Sequence, residues 1–228
     1  MIGILGAMSV EIRGLMASLE QAKEQRVGHM RFVSGRLYGR EAVLAECGVG
    51  KVNAAACAQA MIQLYRPSLV LNVGVGGSLS SELHYAEVAV ARDLVQHDVD
   101  TTALGDEYGL VSTVNMIRFP CDERAVNLIA ECVRAVGSRA VVGTIASGDQ
   151  FVATRERKEF IVSHFDAICC EMEGGAIAQV CYLNGTPCAV IRAISDNADE
   201  GAHEDYPQFT ARAVKQTEAL MRVLLPRL

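Results

Sequence analysis

Residues 189–199 read AVIRAISDNAD. Three apolar residues, Ala189, Val190 and Ile191, run into Arg192 and then into Ser195 and Asp196. A short apolar run with β-branched members reads as a buried strand. Polar residues at its end stand where open α/β sheets carry chemistry, outside the carboxyl ends of the strands. The stretch therefore predicts a last strand over 187–194, with Asp196 just past its end.

The rest of the chain repeats that pattern. Residues 1–8 predict a buried strand. Ser9 is a candidate N-cap, and 10–19 predict an amphipathic helix. Residues 30–37 and 41–49 read as two strands joined at Tyr38-Gly39-Arg40, a hairpin signal. An Ala-rich helix from Gly50 to Tyr65 is broken by Pro67. Further strands are predicted at 68–72, 87–95, 140–146 and 167–170, and helices at 122–136, 155–164, 173–183 and 207–225. Residues 74–78, GVGGS, read as a glycine-rich loop, and 101–120 as a long irregular segment with functional or interface duty. Alternating strands and helices give a single-domain, three-layer α/β/α architecture with a mixed, mostly parallel sheet.

The totals narrow the function. The chain has 228 residues, half of them hydrophobic, which suits one α/β domain. A net charge of −6 without a Lys/Arg cluster argues against a nucleic-acid partner. The run Arg155-Glu156-Arg157-Lys158 reads as a solvated helix face. The 8 cysteines show no CxxC and no zinc spacing, so they read as reduced, buried small hydrophobes. No leader or membrane-length apolar run is seen, and a cytoplasmic enzyme is expected.

Two glycine-bearing turns, Gly3-x-x-Gly6 and Gly74-x-Gly76-Gly77, fall short of G-x-G-x-x-G, and no P-loop lysine follows either. The carboxylates are more informative. Glu11 lies in the first turn of a helix, where it also suits the helix dipole. Glu171 and Glu173 flank Met172 where a strand meets a helix, and Glu173 could serve as a cap. Asp196 could be an Asx-turn residue. Three acids at strand ends nonetheless suggest one site. His97, His164 and His203 read as surface or locally bonded residues, and no metal site is expected.

Taken in order, GILGAMxxE at 3–11, GVGKV at 48–52, HDxD at 97–100, EYG at 107–109, SGDxF at 147–151, EME at 171–173 and RAISDxAD at 192–199 resemble the 5′-methylthioadenosine/S-adenosylhomocysteine nucleosidases of the purine nucleoside phosphorylase and uridine phosphorylase superfamily. The resemblance spans almost the whole chain. It implies one nucleosidase domain over 1–228, usually a homodimer, that needs no cofactor and hydrolyses the N-glycosidic bond of a small purine nucleoside.

It further implies that Asp196 is the general acid at adenine N7, that Glu11 activates water, and that Glu173 binds the ribose hydroxyls. Met172 and Arg192 would contact ribose or the water site. Phe151 would stack on adenine, Val152 would offer backbone hydrogen bonds, and Ser195 would position Asp196. Glu171 joins the substrate site, and Met8, Val49 and Tyr206 wall the 5′ tail. Glu11 stands where a phosphorylase would bind phosphate. Val75 departs from the family's usual serine. Residues 101–106, with Asp106, stand where bulkier apolar residues wall the tail across the dimer interface. The alternatives are a nucleosidase for another tail, such as aminodeoxyfutalosine, a phosphate-dependent phosphorylase, a non-catalytic nucleoside-binding protein, and a dinucleotide-dependent oxidoreductase.

Overall fold

In the computed structural model every residue has a described backbone, and all side chains except those of residues 204–208 are described. The strands that carry the site are buried on both faces, which is why they are continuous apolar runs rather than alternating ones. In β1 (Ile2–Gly6), β5 (Leu69–Ser78) and β10 (Cys188–Asp196) every residue is buried. Leu5, Val70 and Val190 point into one core with α2 (Lys51–Tyr65) and α5 (Gly174–Leu183). Their neighbours Ile4, Leu71 and Ile191 point into the opposite core with α1 (Ser9–Ala17), α3 (Glu123–Ala135) and α6 (Ala202–Leu224). A third cluster packs Ile161 and Phe165 of α4 (Arg155–Phe165) on Val95 and Ala146.

The remaining strands are β2 (Glu20–Val27), β3 (Met30–Leu37), β4 (Arg40–Glu46), β6 (Val88–Gln96), β7 (Phe119–Pro120), β8 (Ala140–Ser147) and β9 (Ala167–Glu171). They form a 10-stranded mixed sheet in the order β10-β6-β8-β9-β5-β1-β4-β3-β2, with β7 on β6. β5 also pairs with β10, so β5, β10, β6, β8 and β9 close into a ring. β5 makes this possible by changing partners. Its first half pairs with β1 in parallel, and its last residues, Gly77 and Ser78, pair with β9.

Four differences from the sequence reading matter. Residues 74–78 are the second half of β5, not a loop. β2 was missed because its residues, EQAKEQRV, are all exposed and show no apolar alternation. The last helix begins at Ala202, before residue 207. Ser9 is already helical, and Met8 is the N-cap. The hairpin at Tyr38-Gly39 is as expected, with both residues at positive φ, the primed turn that matches strand twist. All eight cysteines are free, and all but the half-buried Cys121 are buried. Among the described residues no helix is long and apolar enough to cross a membrane.

The 101–120 segment is largely irregular, with one short 3-10 turn, an isolated bridge between Val111 and Met116, and β7 at its end. Its apolar residues between 111 and 119 are covered by the fold itself. Val111, Val114 and Met116 pack on the main core and Phe119 is fully buried. Among the described residues the most exposed large apolar side chains are Leu104 (83%), in the 3-10 turn of this same segment, and Val52 (80%).

Candidate active site

A cleft of about 410 Å³ opens where β1, β4, β8, β9 and β10 end, within the size range of small-molecule sites. Glu11 enters it from α1. The N-cap of that helix is Met8, which brings no hydroxyl or carboxylate to it. Glu11 instead folds back, and its Oε2 accepts the N–H groups of Ala7 (2.8 Å) and Met8 (2.9 Å). Its Oε1 accepts Val75 N–H at 3.0 Å. The capping and site readings of Glu11 therefore coincide. Burial pushes its carboxyl above the ordinary range, against the pull of Arg192 and those three N–H donors.

The strand conformation of 74–78 explains its glycines. A Cβ on Gly74 would stand 2.6 Å from Glu11 Oε1, and one on Gly77 would stand 2.7 Å from Asp196 Oδ1. β5 passes so close to both acids that a side chain at either position would displace a carboxylate.

Glu171 and Glu173 are held by different sets of partners. Glu171 caps α5, its Oε2 accepting the N–H groups of Glu173 (3.0 Å) and Gly174 (2.7 Å). It also takes the Ser147 hydroxyl and the Arg192 guanidinium. Burial works to raise Glu171, but Arg192, Ser147 and the two N–H groups outweigh it and hold the carboxyl below its usual range. Glu173 has less support. Its Oε1 accepts Gly50 N–H at 2.9 Å, and Arg192 lies 3.8 Å from its Oε2. Burial and the neighbouring charge of Glu171 push it up to about 7.

Asp196 is the last residue of β10. Ala198 N–H donates to Oδ1 at 2.9 Å, the Asx-turn bond, and the Ser195 hydroxyl donates to Oδ2 at 2.8 Å.

Of the residues singled out in the sequence, Met8, Glu11, Val49, Phe151, Val152, Glu171, Met172, Glu173, Ser195 and Asp196 all line the cleft. Arg192 does not. It is 1% exposed behind Glu171, bonded also to Asn72 and Ile191 O, with Nε unpartnered. The side chain of Tyr206 lies outside the described residues. The sequence reading missed Gln150, Cys170 and His203 as lining residues. Gln150 and Cys170 sit beside motif residues. Nothing in the sequence marks His203. Asp106 turns into its own loop, accepting the hydroxyls of Thr101 (2.7 Å) and Ser112 (2.6 Å).

One reading is corrected in part. In the basic run of α4, Arg155 and Glu156 are exposed as expected, but Arg157 and Lys158 are not solvated. Arg157 donates to His97 O at 2.7 Å, and Lys158 Nζ donates to Ser78 O (2.9 Å) and Asn197 O (2.6 Å), tying β5 to the turn after Asp196. Of the two readings of His97 the locally bonded one holds: it is fully buried with Nδ1 2.8 Å from the Arg157 guanidinium, and burial with Arg157 beside it pushes its imidazole down to about 4.

Residues 1–226 match the family model of the phosphorylase superfamily. The chain is 36% identical over 228 residues to a 5′-methylthioadenosine/S-adenosylhomocysteine nucleosidase of Halalkalibacterium halodurans, covering 100% of this chain and 98% of the relative. The nucleosidase of that name from Neisseria meningitidis, solved in complex with methylthio-immucillin-A, superposes with a TM-score of 0.95 at 34% identity, covering 100% of this chain and 99% of the other. The futalosine hydrolase of Helicobacter pylori superposes with a TM-score of 0.94 at 36% identity, covering 100% and 97%.

Proposed function

The chain belongs to the phosphorylase superfamily, among the 5′-methylthioadenosine/S-adenosylhomocysteine nucleosidases, and from that premise we propose that it hydrolyses the N-glycosidic bond of 5′-substituted adenosines. The products are adenine and the 5-substituted ribose. One observation carries the hydrolytic reading. Glu11, Glu173 and Asp196 face a single cleft, and among the described residues lining it there is no lysine or arginine. A phosphate dianion would find no lysine or arginine to neutralise it and carboxylates to repel it, whereas neutral water needs no such cation.

Each residue then has a role. Cleavage leaves positive charge on the sugar and negative charge on the purine. Asp196, steadied by Ser195, gives its proton to adenine N7. Glu11, held by three N–H groups, takes a proton from the water that attacks the anomeric carbon. Glu173 binds the ribose hydroxyls, and its charge favours an oxocarbenium-like transition state. Phe151 stacks on adenine and Val152 offers backbone hydrogen bonds to it. Met8, Val49 and Met172 supply apolar walls. Arg192 acts by charge from behind Glu171 rather than by touching substrate.

A second reading concerns the tail. The likeness to a futalosine hydrolase, with the polar His203 at the cleft, favours testing a larger polar 5′ substituent. Comparing kcat/KM on 5′-methylthioadenosine, S-adenosylhomocysteine and aminodeoxyfutalosine decides between them. The first two reacting at least about tenfold faster, over 1.4 kcal/mol, supports the main reading, and the reverse order overturns it. We also take the working form to be a homodimer that covers Leu104 and Val52. Sedimentation as a monomer at micromolar concentration would contradict this.

A further inference from the structure

Three of the sequence motifs, GVGKV, HDxD and SGDxF, each contribute a charged residue that does not line the cleft: Lys51, Asp98 and Asp149. In the fold they meet. Lys51 N–H donates to Asp149 Oδ1 at 2.7 Å. Asp149 N–H donates to Asp98 Oδ2 at 2.8 Å. Asp98 Oδ1 pairs with Lys51 Nζ at 2.6 Å, and that ammonium also reaches Gln96 Oε1 at 3.1 Å. The bonds leave Lys51 by its backbone and return by its side chain, closing a ring across the start of α2, the end of β6 and the turn after β8.

We propose that this ring is a clasp that sets the spacing between the ribose side and the adenine side of the cleft, with Lys51, Asp98 and Asp149 as positioning residues. The inference rests on the nucleosidase reading given above. The residue before α2 is Gly50, at φ +94, which has no side chain to cap the helix. Asp149 supplies the cap from a distant turn, where a carboxylate also meets the positive end of the helix dipole. The preceding N–H, that of Gly50, is the one Glu173 accepts. Asp149 is followed directly by Gln150, Phe151 and Val152, which wall the cleft. One ring thus fixes both the donor to Glu173 and the turn that carries Phe151. The Lys51 and Asp98 side chains are only 18% and 19% exposed, so their pairing is sheltered from water. Lys51 holds the Asp98 carboxyl below its usual range against the opposing effect of burial.

The clasp has a kinetic signature that a merely structural role lacks. Glu173 faces Glu171 from β9, Arg192 from β10, Glu11 from α1 and the Gly50 N–H from α2. Loosening Gly50 removes a bond that favours the ionised carboxylate, so a higher pH is needed to ionise it.

The test measures adenine release from 5′-methylthioadenosine between about pH 5 and about pH 9 for the parent chain, Asp149→Ala, Asp149→Asn and Lys51→Met. Each is assayed where circular dichroism shows it folded. Asp149→Ala should raise KM about tenfold, lower kcat less, and move the acidic limb of kcat/KM up by about half a pH unit. Asp149→Asn keeps an acceptor for Lys51 N–H and should recover most of the loss. Lower melting temperatures with parent KM and parent pH limb overturn the clasp, as does Asp149→Asn behaving like Asp149→Ala.

Hydrogen exchange reads the clasp without turnover. Lys51→Met should lose protection at 48–52 and 148–153 together, and unchanged protection at 148–153 overturns the proposal. A parent chain that releases no adenine sinks the nucleosidase reading instead, and the exchange result still decides the clasp.

Discussion

Arg192 is shared unequally by two carboxylates: its guanidinium is bonded to Glu171 and lies 3.8 Å from Glu173 Oε2. Two acids two residues apart therefore titrate in different ranges. Glu171, with the cation, a hydroxyl and two N–H groups, is held ionised. Glu173, buried beside that charge, is pushed up to about 7.

A pH dependence follows. A Glu173 that must be ionised to accept the ribose hydroxyls makes kcat/KM fall as pH drops below about 7. The stability effect has the opposite sense. The folded chain holds this proton more tightly than the unfolded chain, whose value is near 4.5. The stability from this group is complete below about 4.5 and is lost as pH rises through about 7. Glu173→Gln should therefore raise the melting temperature more at about pH 8 than at about pH 5, while weakening substrate binding. Calorimetry at the two pH values checks this, and an equal change at both would remove Glu173 as the titrating group.

The glycines of β5 give a second prediction. Gly74→Ala and Gly77→Ala place a methyl group 2.6 Å from Glu11 Oε1 and 2.7 Å from Asp196 Oδ1. Neither carboxylate can retreat without breaking its backbone bonds. Each variant should lose about 1–3 kcal/mol of stability, as overpacked sites do. Adenine release should fall by at least about a hundredfold, the scale of a displaced acid or base. Parent activity in Gly77→Ala would mean that Asp196 does not act from the position described.

Glu11→Gln and Asp196→Asn separate chemistry from folding. Each should lower turnover by about 10²–10⁴-fold. Their stabilities should differ. Glu11 accepts three N–H donors, and an amide NH₂ facing one of them leaves it unpaired at a cost of about 1–3 kcal/mol. Asn at 196 keeps an acceptor for Ala198 N–H, and the Ser195 hydroxyl can turn to accept from its amide. Melting curves with kinetics check both, and Asp196→Asn with the parent rate would remove the general acid.

Much of this was legible in the sequence because buried strands write themselves as apolar runs. Residues 189–191 announce β10, and the polar residues that follow announce a site at its end. What stayed hidden depends on contacts between distant segments. GVGGS reads as a loop until Glu11 and Asp196 are seen pressed against it. The capping role of Glu171 rather than Glu173 is set by Arg192, twenty-one residues away. Arg157 and Lys158 look solvated because their partners, the His97 ring and the His97, Ser78 and Asn197 carbonyls, belong to distant segments and are mostly backbone atoms that no side-chain pattern reveals. β2 is invisible for the opposite reason, since an exposed charged edge buries nothing.

The most direct measurement is adenine release from 5′-methylthioadenosine by the parent chain in phosphate-free buffer, repeated with phosphate. A cleft faced by Glu11, Glu173 and Asp196 and lined by no lysine or arginine among its described residues predicts the same rate in both, with methylthioribose as co-product. Release only with phosphate, yielding a sugar 1-phosphate, would contradict the account.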